Sequence, residues 1–138
     1  MAAGVESGAS VAVNRVNGLV PRLALVQAGY YVLSGVWPLV HLRSFERVTG
    51  PKTDAWLVKT VGVLVAVIGG ALGLAGWRRR VTPELALVAA GSAAGLAAID
   101  VVYVGRRRIS RVYLLDALAE VLLAALWVVG WRQGRSSR

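Results

Sequence analysis

Four stretches of about twenty predominantly apolar residues, at 23–41, 56–76, 84–104 and 112–131, dominate the chain, and each is bounded by basic or turn-forming residues. At 1.5 Å of rise per residue, a helix of that length crosses the roughly 30 Å hydrocarbon core of a bilayer. Backbone N–H and C=O groups find no water in lipid, so spanning segments of this kind are helical. The expectation is an all-α, polytopic membrane four-helix bundle. Composition agrees, because 57% of the residues are apolar and mean hydropathy is +0.61, above the range of ordinary soluble domains. Residues 23–131 read as one transmembrane domain. Residues 1–22 read as a flexible or interfacial N-terminal tail without the apolar core of a cleavable signal, and 132–138 as a basic C-terminal tail.

The formal net charge is +9, carried by fourteen arginines and two lysines against seven acids. The basic residues bracket the apolar runs instead of forming a patch on a soluble fold. They therefore read as boundary anchors and contacts with anionic lipids, through Arg78, Arg79, Arg80, Arg106, Arg107 and Arg108, and not as a nucleic-acid surface. Four spans put both termini on one side. The basic residues then divide eight and eight between the two sides, so the positive-inside rule does not choose an orientation. Counting Lys59 as part of a helix end favours cytoplasmic termini; insertion in both orientations, with antiparallel pairing, is the competing reading. An Arg-rich, Lys-poor, Ala/Val/Gly-rich composition points to a high-GC bacterial genome, and so to a bacterial cytoplasmic membrane. Zero cysteines and one histidine exclude disulfides, thiolate metal sites and any site built on two imidazoles.

The fourth span carries Asp116 and Glu120 within its apolar run. An acid near the bilayer centre costs roughly 2.5 kcal/mol or more, so it is turned into the bundle or given a partner. The i, i+4 spacing stacks the two acids on one helical face with Tyr113 just outside them. Asp100, six residues before Arg106, and Asp116, five after Arg111, lie at matching depths, about 8–9 Å inside the same boundary. Glu120 is a turn deeper. Tyr103 and Tyr113 sit nearer the surface, and His41, Trp37, Lys52, Asp54 and Trp56 belong to the same side. These ten residues form the candidate ligand-binding set. For Asp100 and Asp116 the alternative is pairing with Arg106, Arg107, Arg108 and Arg111. No arginine stem easily reaches Glu120, which makes it a candidate proton carrier or counter-ion for a cationic ligand. A divalent metal on the three acids with His41 suits the donor types, but their spacing does not establish a ligand set and no metal ligand is assigned; no cofactor is implied.

Small residues recur at packing spacing: Gly62, Gly69 and Gly76, Gly69 with Gly73, and Gly91 with Gly95. They predict close packing of spans two and three across the short 77–83 turn, with self-association as the second reading. In span one, Gln27, Tyr31, Ser34 and His41 share one face, and Gln27 and Ser34 read as interhelical hydrogen-bonding groups. Pro38 predicts a kink. Trp37, Trp56, Trp77, Trp127 and Trp131 read as an aromatic belt.

The first loop is the most distinctive segment. Gly50-Pro51 signals a turn, and Thr53 or Asp54 is placed to cap a helix starting at Ala55 or Trp56. The run from Phe45 through Val48-Thr49-Gly50-Pro51-Lys52, Asp54 and Trp56-Leu57-Val58 resembles the aromatic-x-x-V-T-G-P-K-x-D-x-W-L-V phrase of a group of small uncharacterised bacterial four-span membrane proteins. The resemblance covers mainly residues 37–76 and implies the fold and the membrane location, without an activity. Three functions compete: binding or transport of a small cationic or lipid-like ligand, an accessory or assembly subunit, and an intramembrane enzyme on a lipid-like substrate. No nucleophile triad or phosphate loop favours the last.

Overall fold

The computed structural model describes residues 2–136, with side chains described from residue 18 onward. Among these residues there are five helices: α1 (Ala2–Val40), α2 (Leu42–Thr49), α3 (Ala55–Trp77), α4 (Pro83–Gly105) and α5 (Tyr113–Ser136). Four segments are long and apolar enough to cross a membrane, namely Gly18–Val40 of α1 and the whole of α3, α4 and α5. The protein is thus an all-α four-helix membrane bundle, with span boundaries within a few residues of those read from hydropathy. The backbone of residues 2–17, expected as a tail, continues α1.

The helix ends have local causes. Thr82 caps α4, its hydroxyl oxygen accepting from the Leu85 N–H at 3.3 Å, and Pro83 opens the first turn, where its missing donor costs nothing. The C-termini of α3 and α4 close alike. Arg79 and Arg107 take left-handed φ values of 53° and 55°. The next residues, Arg80 and Arg108, donate back to the carbonyls of Ala75 (3.0 Å) and Tyr103 (2.9 Å). This is the Schellman arrangement, here with arginine where glycine is usual.

The loop between spans one and two is not purely a turn. It contains the short amphipathic helix α2, begun by His41, whose Nδ1 accepts from the Ser44 N–H at 3.1 Å. α1 runs through Pro38 to Val40, and the chain changes direction at His41. Asp54 does occupy the N-cap position of α3, but its side chain makes no cap hydrogen bond.

The packing differs from the expectation for the glycines. Gly62, Gly69 and Gly76 lie against α1, not α4. A Cβ on Gly35 would sit 2.5 Å from the Gly62 carbonyl oxygen, one on Gly69 would sit 2.9 Å from Tyr31 Cβ, and one on Gly76 would sit 2.8 Å from the Pro21 carbonyl oxygen. α3 and α4 share little contact, whereas α4 packs on α5 and α5 on α1, so the helices run in space as α3, α1, α5, α4. The reason is that the α3 glycine face is consumed by α1. α4 buries alanines instead (Ala86, Ala89, Ala93, Ala97), leaving Gly91 and Gly95 open with nothing within 4 Å. Without apolar drive between helices in lipid, such close backbone approach holds the pair together.

Trp56 and Trp77 are exposed, at 69% and 82%, as a belt requires, but Trp127 is 1% exposed and belongs to the core. Gly35→Ala should force α1 and α3 apart, because every atom its Cβ would meet within 3.2 Å is backbone. A loss of about 1–3 kcal/mol is expected in reversible unfolding in mixed micelles, with no loss for Gly91→Ala.

Candidate functional site

The core between α1, α4 and α5 is polar in a way its apolar helices do not suggest. α1 directs Gln27, Tyr30 and Tyr31 toward α4 and α5. Gln27, 0% exposed, donates from Nε2 to the Ala89 carbonyl at 3.0 Å, while its Oε1 accepts from Trp127 Nε1 at 2.5 Å. The alanine face of α4 makes this possible, since a bulky residue at 89 would keep the amide from the helix backbone. Ser92 also bonds the Ala89 carbonyl, at 3.1 Å, and lies 3.3 Å from the Tyr31 hydroxyl.

The three intramembrane acids converge on this network. Glu120, 1% exposed, accepts from the Tyr31 hydroxyl at 2.8 Å. Asp116, one turn away on α5, accepts from the Tyr30 hydroxyl. Asp100 of α4 is 5% exposed, and its Oδ2 has no hydrogen-bond partner. Asp116 and Glu120 share one face of α5, and Asp100 stands on α4, the helix packed against it. Among the described residues no arginine pairs with Asp100 or Asp116, which removes the boundary ion pairs as their explanation. Arg106 faces outward, with its guanidinium 6.0 Å from the Tyr103 ring centroid.

The other candidate residues lie elsewhere. Tyr103 is 39% exposed beside Arg106. Trp37 donates to Ser44 Oγ at 2.8 Å and meets Phe45 edge-on at 5.5 Å, so with His41 it fastens α2 to the end of α1. The imidazole is therefore committed to α2. No group of three His, Asp or Glu side chains among the described residues is arranged to hold a metal ion. Lys52 and Tyr113 do meet, the ammonium 4.7 Å from the ring centroid. Asp54 and Trp56 are exposed at the start of α3.

Ser34 does not bridge helices; its hydroxyl donates to the Tyr31 carbonyl of its own helix at 3.3 Å. Sequence reasoning left Tyr30 and Ser92 out of the site altogether. The signal for Tyr30 was its adjacency to Tyr31, since two neighbouring tyrosines point to faces about 100° apart and so reach Asp116 and Glu120 separately. No known protein family, curated protein or solved structure matches the chain. Its class is that of a four-helix integral membrane bundle with a buried acidic and aromatic centre.

The Tyr31–Glu120 bond joins α1 to α5. In a double-mutant cycle of Tyr31→Phe with Glu120→Leu, measured by unfolding in micelles, a coupling of about 0.6–2 kcal/mol is expected.

Proposed function

We propose that the protein binds or transports a small cationic or lipid-like ligand at the centre formed by Glu120, Asp116, Asp100, Tyr30 and Tyr31. The observation that carries this reading is Asp100. A buried carboxylate oxygen without a partner costs several times what a neutral hydrogen bond contributes, and a proton, an ammonium group or another donor entering the core would satisfy it. Three acids gathered without a cation favour a positively charged visitor, and the tyrosines add ring faces and hydroxyls suited to it. Lys52 and Tyr113 stand at the loop side as the entrance. The arginine belts at Arg78, Arg79, Arg80 and Arg106, Arg107, Arg108 take anionic lipids. Composition supports a bacterial cytoplasmic membrane, the place of Lys59 within α3 supports cytoplasmic termini by discounting one cation of an otherwise even split, and the segment at 45–58 supports kinship with the small bacterial four-span proteins it resembles.

A second reading is an accessory subunit or self-associating bundle. It is supported by Gly91 and Gly95, which are open on the outer face of α4 and would let another helix approach closely. Copurification of a larger complex, lost on Gly91→Leu, would favour it.

Glu120→Gln decides between the two. In vesicles, the wild-type protein should bind tetraphenylphosphonium in a pH-dependent manner, and the variant, still folded by circular dichroism, should bind it about tenfold more weakly, the equivalent of one lost charge contact of about 1.4 kcal/mol. Binding that keeps its strength and pH profile in the variant would refute the acidic centre as the site.

A further inference from the structure

The 49–58 segment of the first loop forms one wall of a cleft of about 470 Å³ at the rim of the bundle, and the turn after α4 forms the other. The two walls bring Lys52 together with Arg107, Arg108 and Ser110. Lys52 is held in place. Its Nζ donates to the Thr49 carbonyl at 3.1 Å and rests over Tyr113, while its backbone N–H donates to Glu46 Oε1 at 3.3 Å. One ammonium hydrogen is thus committed to a neutral carbonyl and two remain for another acceptor.

Arg107 and Arg108 are fixed at the backbone by the left-handed turn, and among the described residues neither is paired with a carboxylate. Asp54 is the acid on this lining, so three basic residues and one acidic residue border the cleft. Leu57, Val58 and Ile109 give the cleft an apolar side. Planar guanidinium forks and an ammonium suit a phosphate oxyanion. An apolar wall next to them at a membrane boundary suits the acyl end of the same molecule.

We infer that the cleft between residues 49–54 and 107–110 is a discrete site for a phosphate group, borne by the headgroup of an anionic phospholipid, with Lys52, Arg107 and Arg108 as its ligands. This rests on the reading of the arginine belts as lipid contacts and narrows it from diffuse charge to one site. It also gives the 49–58 segment a role that helix capping alone does not, because the side chain of Asp54 caps nothing.

The test is native mass spectrometry of the detergent-solubilised protein with phosphatidylglycerol or phosphatidylcholine. Wild type should retain one phosphatidylglycerol in preference to phosphatidylcholine. Retention should fall roughly fivefold per charge removed in Lys52→Gln and in Arg107→Gln/Arg108→Gln. Arg79→Gln/Arg80→Gln removes the same charge from the same turn geometry and should retain the lipid. Displacement by millimolar inorganic phosphate would support the anion site with a soluble source. Equal loss in both double variants would overturn the discrete site and leave the belts standing, and no preference for phosphatidylglycerol in wild type would overturn both.

Discussion

Gly69 lets the backbone of α3 come against the Cβ of Tyr31, and from that contact the position of the Tyr31 hydroxyl follows. α1 is pressed on one side by glycines and reaches out on the other with Gln27, Tyr30 and Tyr31. In lipid there is no hydrophobic drive between helices, so dispersion at close range and hydrogen bonds across the core must hold the bundle. Here the two are supplied by opposite faces of one helix. The glycine face sets the depth and rotation of α1, and the polar face inherits them. If α3 stood further off, the hydroxyls would no longer meet Glu120 and Asp116, and the acids would be buried alone.

The spans were legible in the sequence because their signal is one-dimensional: length and apolarity decide whether a helix crosses a membrane. The acids were legible for the same reason, since Asp100, Asp116 and Glu120 break apolar runs. What pairs with them was not, because it depends on which helices are neighbours. The glycines of α3 read equally well as a surface for α4 or for α1, and sequence adjacency suggested the wrong one. Once α1 is the partner, Tyr30 and Tyr31 become the groups opposite α5. Trp127 misled in a related way. A tryptophan near a span end is usually interfacial, but the buried Gln27 amide needs a donor for its oxygen, and the indole N–H supplies it.

Charge is arranged in layers. The interior carries three acids and no base among the described residues, while the rims carry arginine triplets whose middle members hold a left-handed backbone. Glycine would take that conformation at less cost, by about 1–2 kcal/mol on general grounds. Using arginine there keeps three consecutive cations at each rim while still satisfying the last carbonyls of the helix. Both rims do this, which is why charge counting leaves the orientation undecided.

The spatial order α3, α1, α5, α4 makes the molecule two hairpins, the first closed through α2 and the second through the 106–112 turn, joined by a linker whose flanking helices barely touch. During synthesis the first hairpin can close completely on its glycines while the second is still in the ribosome. Until α5 arrives, however, Gln27 and Tyr31 have neither Trp127 nor Glu120 to bond. The polar stripe of the first hairpin is thus completed only by groups that the second hairpin carries, and the docking of the two is what closes the hydrogen bonds of α1.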